Sequence, residues 1–449
     1  MVRPLPQRTA RGRLVAGRPA AGKSAQDRGG RLKALLIAVS KGGSAELEAS
    51  RSELAELGRL CETAGIEPVE SVLARIKAYT PATLIGSGKA RELAERAAEL
   101  KADAVIFDDD LTPAQQRNLE KVFSLAVTDR TELIIQIFSQ RARTREGKLQ
   151  VELARLTHML TRLSGKGEAL EQQHGRIGTR GPGERKIEYE RRALRDKIGE
   201  LKGRMEAVRR ERSVQRGKRE AVPLPQVSIV GYTNAGKSTL LNALTRAAGR
   251  GAVYSDDKLF ATLDPTTRRV RLPGGGEALF TDTVGFIQKL PHSLVAAFKA
   301  TLEEIVRSDL VIHLHDLSSP ALAGQHAAVR DTLAEIGAGD KPTLNVFNKA
   351  DVPGASPARA RRLGRFFQPL CVSALKGDGL DALLAKAEAM LAASWQEREV
   401  VLPRAKAGLI KEIYRIGQVL SADHGEKEIR IRFRATAANC ARIEALLAK

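Results

Sequence analysis

A chain of 449 residues, 43% hydrophobic and 28% charged, exceeds what one hydrophobic core organises and predicts about three domains. No uninterrupted apolar run approaches the roughly 18 residues of a membrane span, which excludes a helical integral membrane protein and stable membrane insertion. The formal net charge of +21 calls for a polyanionic partner.

That charge is unevenly placed. Residues 1–30 carry seven Lys or Arg against one Asp, and residues 141–220 carry 23 basic against 12 acidic groups, so these two stretches hold +17 of the total. A nucleic-acid contact is expected there. Cys61, Cys371 and Cys440 lie far apart, with no Cys-x-x-Cys pair and no clustering of His along the chain. Neither a disulfide framework nor a structural zinc site is therefore predicted. A reducing, cytoplasmic location is expected.

Residues 1–31, rich in Arg, Ala, Gly and Pro, read as a disordered basic tail. An acid-poor start of this kind is shared by mitochondrial transit peptides, but no amphipathic helix is apparent and the tail is the preferred reading. Residues 32–140 alternate short apolar runs with helical patterns and predict a small α/β domain. Leu35 to Val39 and Ala104 to Phe107 form its buried parallel strands, and Leu47, Leu54, Leu57 and Leu60 lie on one helix face. Its Gly86-Ser87-Gly88-Lys89 run reads as a strand-to-helix turn in preference to a second phosphate cradle, which would leave ATP at Lys89 as a minor alternative.

Residues 141–213 carry two heptad series, Leu149, Leu153, Leu156, Leu160 and Leu163, then Ile187, Leu194, Ile198, Leu201, Met205 and Val208. They predict a helical hairpin arm. Its tip, with Arg176, Arg180, Arg185 and Lys186 among glycines, suits close approach to a sugar-phosphate chain, and with almost no aromatic residues it favours phosphates and RNA shape over base reading. A solvated loop is the competing reading. Residues 214–225, with Pro223 and Pro225, read as a linker. A second α/β domain follows over 226–393 and a small α+β module over 394–449.

The strand-like Gln226 to Val230 leads into Gly231-Tyr232-Thr233-Asn234-Ala235-Gly236-Lys237-Ser238, a phosphate-binding loop in its required strand and helix setting. Glycines turn the amides inward, Lys237 neutralises the β and γ oxygens, and the Ser238 hydroxyl ligates Mg²⁺. Farther on, Asp282-Thr283-Val284-Gly285 ends an apolar strand, with Asp282 set to hold the metal through water and the Gly285 amide set to meet the γ-phosphate. Asn348-Lys349-Ala350-Asp351 follows another such strand. Asp351 accepts from the two donors that guanine has and adenine lacks, which selects GTP. Asn348 fixes this loop and touches the base edge, the Lys349 stem covers the base plane, and Ser373-Ala374-Leu375 offers an amide to the guanine carbonyl. Between loop and Asp282 lies Phe260-Ala261-Thr262-Leu263-Asp264-Pro265-Thr266-Thr267, where a threonine must ligate Mg²⁺. Three compete, and the residues alone do not choose.

These runs, with Asp-Thr-Val-Gly-Phe-Ile, Leu290-Pro291-His292-Ser293-Leu294, the Leu-Ile-Gly-Ser-Gly-Lys turn and Arg180-Gly181-Pro182-Gly183-Glu184, resemble the HflX family, ribosome-associated GTPases related to the Obg group. The resemblance covers roughly residues 32–400. It departs at Arg185-Lys186-Ile187-Glu188, where the family usually has Thr-Gln-Leu-Glu or similar, and the basic head is extra. The resemblance implies an arm entering the large ribosomal subunit, GTP hydrolysis stimulated by the ribosome, splitting or rescue of stalled ribosomes, and Thr262 as the metal threonine. A monomer is expected, with large-subunit rRNA and GTP or GDP as partners and Lys237, Thr262 and Gly285 at the chemistry. Phe286 stands where Ras-like enzymes keep a water-orienting glutamine, so hydrolysis by the chain alone is expected to be slow. A GTP-switched rRNA-binding assembly or stress chaperone without splitting activity is the alternative.

Overall fold

The computed structural model describes residues 31–171, 182–219, 224–246, 260, 265–289, 294, 302–361, 369–393, 395–403, 408–425 and 428–447. The basic tail, the tip centre with Arg176 and Arg180, and Ala261, Thr262, Leu263 and Asp264 lie outside them. The chain divides into two compact units, one ending at Arg130 and the other starting at Thr131.

The first unit runs β1 (Leu32–Ser40), α1 (Ser44–Ala64), β2 (Ile66–Arg75), α2 (Ser87–Glu99), β3 (Ala104–Phe107), α3 (Pro113–Phe123) and β4 (Ala126–Asp129). Its sheet has the order β2-β1-β3-β4 with every pairing parallel. The apolar runs occupy its two central strands, buried on both faces as parallel strands are. β2 departs from the sequence reading because its polar residues and Pro68 hide it, and both are tolerated on an edge strand. The Gly86 turn starts α2, where Lys89 pairs with Glu92 at 2.5 Å. Beneath the sheet edge, the fully buried Arg130 binds Asp108 at 2.7 Å through Nη1 and Glu56 through Nη2.

In the second unit α4 (Arg130–Arg141) precedes the arm helices α5 (Arg145–Glu171) and α6 (Pro182–Arg219). Leu149, Leu153, Leu156 and Leu160 pack against Leu194, Ile198, Leu201 and Met205, the middle of both heptad series. Ten residues link the helices, and only an antiparallel pairing lets so short a span join them in this register. α6 continues through residues 214–219, the first half of the expected linker. No proline interrupts it there, and the first ones come at Pro223 and Pro225.

The main sheet is built from β5 (Gln226–Gly231), β6 (Thr266–Arg271), β7 (Glu277–Asp282), β8 (Leu310–Asp316), β9 (Thr343–Asn348) and β10 (Leu370–Cys371), with α7 (Lys237–Arg246) after β5. Its order is β10-β9-β8-β5-β7-β6, parallel throughout except for β6 against β7. The carboxyl ends of the parallel strands therefore share one edge, the usual place of a ligand in open α/β sheets. The carboxyl-terminal module is an antiparallel sheet, β11 (Gln396–Pro403), β13 (Glu428–Ala435) and β12 (Gln418–His424), with helices Leu409–Ile416 and Ala437–Leu447. On β13, Ile429, Ile431 and Phe433 are buried while Arg430, Arg432 and Arg434 face outward. Arg432 and Arg434 bind Glu397 of β11 at 2.6 and 3.1 Å.

Candidate functional site

β5, β7 and β9 deliver the three predicted motifs to the same sheet edge. β5 ends at Gly231, a turn covers Tyr232 to Gly236, and α7 starts at Lys237. A Cβ on Gly231 (φ +155°) would stand 2.3 Å from the Leu314 carbonyl oxygen, and one on Gly236 (φ +92°) 2.3 Å from Asn348 Nδ2. Glycine is required at both positions because the loop is pressed between β8 and β9. Asn234 takes a left-handed φ of +61°, which Asn tolerates better than most residues.

The buried Lys237 Nζ donates to the carbonyls of Gly231 (3.2 Å) and Tyr232 (2.9 Å), so the ammonium arches over the loop it must serve. Burial pushes it down to about 8, and Asp282 resists that fall. Thr233 Oγ1 is buried with no hydrogen-bond partner among the described residues. Ser238 Oγ donates to Asp282 Oδ2 at 2.6 Å, and Asp282 closes β7, fully buried. Adjacent hydroxyl and carboxylate oxygens beneath a phosphate cradle suit a hard divalent cation, so these residues fit Mg²⁺. Of the three competing threonines, Thr262 lies outside the described residues. Thr266 and Thr267 start β6, where the Thr267 hydroxyl stands 2.9 Å from that of Thr281.

The segment after β7 is laced to the loop. Thr283 Oγ1 donates to the Ile229 carbonyl (2.8 Å), the Thr233 amide to the Phe286 carbonyl (2.8 Å) and the Phe286 amide to the Gly231 carbonyl (3.1 Å). Tyr232, read from sequence only as a loop residue, accepts through its hydroxyl from the Gln288 amide at 2.8 Å. Val284 is buried, and a Cβ on Gly285 would meet Lys237 Nζ at 3.0 Å. Phe286 is 2% exposed and offers no polar side-chain atom. Phe260, at the head of the threonine run, meets Phe138 of α4 edge-on, ring centroids 4.5 Å apart.

Asn348 ends β9, where its side chain bridges two loops. Its Nδ2 donates to the Ala235 carbonyl and its Oδ1 accepts from the Ala374 amide, each at 2.9 Å. The side chain thus ties the phosphate loop to the Ser373-Ala374-Leu375 loop, with both ends of its amide committed to backbone. The same bond occupies the Ala374 amide. Leu375 is 75% exposed beyond it, while the Ala350 amide donates to the Val372 carbonyl (3.1 Å). Asp351 Oδ1 accepts from Ser373 Oγ at 2.7 Å, a bond that holds its carboxyl below the usual range. Lys349 Nζ binds Asp316 Oδ2 at 2.8 Å. Sequence reasoning missed Asp316, although it ends the apolar strand β8 just as Asp282 ends β7. It also missed a grouping of His313, His315 and His326, far apart from one another in chain terms or separated by a leucine, which the fold brings together.

Residues 51–139 match the GTP-binding GTPase N-terminal family, 141–219 the GTP-binding GTPase middle region, 226–349 the 50S ribosome-binding GTPase family and 361–449 the HflX C-terminal domain. The GTPase HflX of Lacrimispora saccharolytica is 45% identical over 397 residues, 88% of this chain and 92% of that protein. The chain belongs to the HflX family of GTPases. The GTPase HflX of Escherichia coli is 48% identical over 300 residues, 67% of this chain and 70% of that protein. A crystal structure of a GTP-binding protein from Sulfolobus solfataricus in complex with GDP is 22% identical at a TM-score of 0.42, covering 81% of this chain and 99% of that one. As an HflX-family member the chain is a P-loop enzyme that hydrolyses GTP to GDP and phosphate, with a G domain of the ribosome-binding kind. No helix among the described residues is long and apolar enough to cross a membrane.

Proposed function

We propose that this GTPase acts as a monomer on the large ribosomal subunit, reaching its rRNA through the basic arm, and that it splits or rescues stalled ribosomes. The observation that carries this reading is the pairing of a hydrolytic site that has the apolar Phe286 next to Gly285 with a long basic lever. Phe286 is buried where a water-orienting side chain would be needed, and it has no atom with which to hold a water. A partner must therefore complete the site, and the α5–α6 hairpin lies in the most basic internal stretch of the chain.

In this reading the loop amides from Gly231 to Gly236 cradle the β-phosphate. Lys237, already desolvated, turns from two carbonyls to the β and γ oxygens and neutralises charge that gathers on GDP as water attacks the γ-phosphorus and the bond to the β–γ bridging oxygen breaks. The Gly285 amide meets the γ-phosphate, so its segment reports whether that group is present. Mg²⁺, held by Ser238 and Thr262 and through water by Asp282, would supply charge neutralisation on the phosphoryl oxygens. Asp351 accepts from the guanine donors, its carboxylate oriented by Ser373, and the Lys349 stem, anchored by Asp316, lies against the base plane.

The test is to mix the protein with intact ribosomes and either GTP or a non-hydrolysable analogue and to follow light scattering and gradient profiles. Separation into subunits, together with a rise in GTP turnover on adding large subunits alone, is expected. Stimulated turnover with no separation would instead favour the assembly-chaperone reading, and no stimulation would remove the ribosome from the mechanism.

A further inference from the structure

β8 and the helix Leu322–Glu335 gather three imidazoles one strand away from the phosphate loop. His313 and His315 are two residues apart on β8 and so leave the same face of the sheet. They are 2% and 3% exposed. His326 lies in the first turns of the helix and is half-buried. The ring centroids of His313 and His315 are 3.9 Å apart, each is 5.2 Å from that of His326, and one ring nitrogen from each of the three lies within 4.8 Å of the others. Aliphatic side chains would fill this space without the cost of desolvating three polar rings.

We propose that His313, His315 and His326 form a site for one divalent transition-metal ion of the zinc class, with three imidazole nitrogens as ligands and a fourth position open on the side of His326. Three protein ligands with one exchangeable position is a coordination that zinc adopts. Nitrogens about 2.0–2.1 Å from a tetrahedral ion lie roughly 3.3 Å apart, so closure from the 4.8 Å limit asks for a shift of about 1.5 Å at most between any two of the nitrogens. The ligands must be neutral, and the burial of His313 and His315 disfavours the charged imidazolium. His315 Nε2 stands 3.1 Å from Asn345 Oδ1. A contact of this kind fixes the tautomer of a ligating imidazole and leaves Nδ1 as the donor.

The donor set distinguishes this site from the oxygen site at Ser238 and Asp282. Imidazole suits zinc, copper and nickel, whereas Mg²⁺ and Ca²⁺ want oxygen. Its position also connects it to the enzyme. Leu314, between the two strand histidines, holds its carbonyl against Gly231, and Gly324 of the same helix is so close to the switch segment that a Cβ there would lie 3.3 Å from Gln288 Nε2. An ion that clamps the helix to β8 therefore bears on the backbone that carries Gly285.

Full-length protein, stripped with chelator, is titrated with Zn²⁺ against a chromophoric competitor and separately with Co²⁺, whose visible bands report tetrahedral coordination. One equivalent per chain is expected. His326→Ala, at a half-buried position, should fold normally and lose at least about tenfold in affinity. His326→Cys should restore one equivalent and add thiolate-to-cobalt absorption, a signature that packing alone cannot produce. Wild-type protein that takes up no stoichiometric metal, or His326→Ala that binds as tightly as wild type, overturns the site.

Discussion

At the scale of single residues, two side chains carry measurable consequences. The Asp351 carboxylate, held ionised by the Ser373 hydroxyl, is matched to two donors on guanine. Asp351→Asn turns one acceptor into a donor, which suits the 2-oxo group of xanthine, and should weaken GTP roughly 10- to 100-fold while XTP improves. A competition assay in which GTP still outcompetes XTP as in wild type would displace the guanine pocket from this loop. Lys237, pushed down to about 8 by burial, gains anionic neighbours when phosphates arrive, which raises it. Nucleotide binding should then take up protons around pH 8, and affinity should fall as pH rises above that value. Calorimetry of GDP binding in buffers of different ionisation enthalpy reads the uptake directly, and a buffer-independent heat at pH 8 would contradict it. These residues were legible because each motif is a contiguous run whose chemistry is local. The double tie of Asn348 to Ala235 and Ala374 was not, since it joins three segments that meet only after the sheet has formed.

At the scale of elements, apolar runs identified the central strands β1, β3, β5 and β9, because burial on both faces leaves no polar positions to blur the pattern. The edge strand β2 escaped. β2 needs one bonded side only and keeps Pro68, Glu67 and Glu70 in view. The buried ion cluster was invisible for another reason: Glu56 of α1, Asp108 after β3 and Arg130 at the head of α4 are ordinary surface types in sequence, and only the packing of α1 against the sheet removes their water. Removing the cation alone takes the guanidinium away from two buried carboxylates. Arg130→Met should cost about 3–5 kcal/mol, whereas Glu56→Gln with Asp108→Asn and Arg130→Met together should recover much of it. Denaturant midpoints decide this, and a single variant within about 1 kcal/mol of wild type would show that the cluster is reached by water.

At the scale of the whole molecule, charge asymmetry pointed to the arm before any helix was assigned, and heptad spacing gave its seam. Replacing Arg176, Arg180, Arg185 and Lys186 with Ala removes up to four phosphate partners. Ribosome affinity should fall, the slope of log affinity against log salt should become shallower by up to about three units, and GTP binding and unstimulated hydrolysis should persist. Unaltered ribosome-stimulated turnover at moderate salt would mean that another surface makes the productive contact.

The antiparallel seam of α5 and α6 has a further consequence, for length. Because the chain enters and leaves the hairpin at the same end, the arm is a graduated part that can be resized without cutting either α/β body. Deleting one heptad from each helix within the Leu149–Leu160 and Leu194–Met205 seam keeps the leucines in step and draws the tip inward by about 10 Å. A series of such deletions would act as a ruler: turnover plotted against arm length would measure the distance from the hairpin base to whatever the tip must reach.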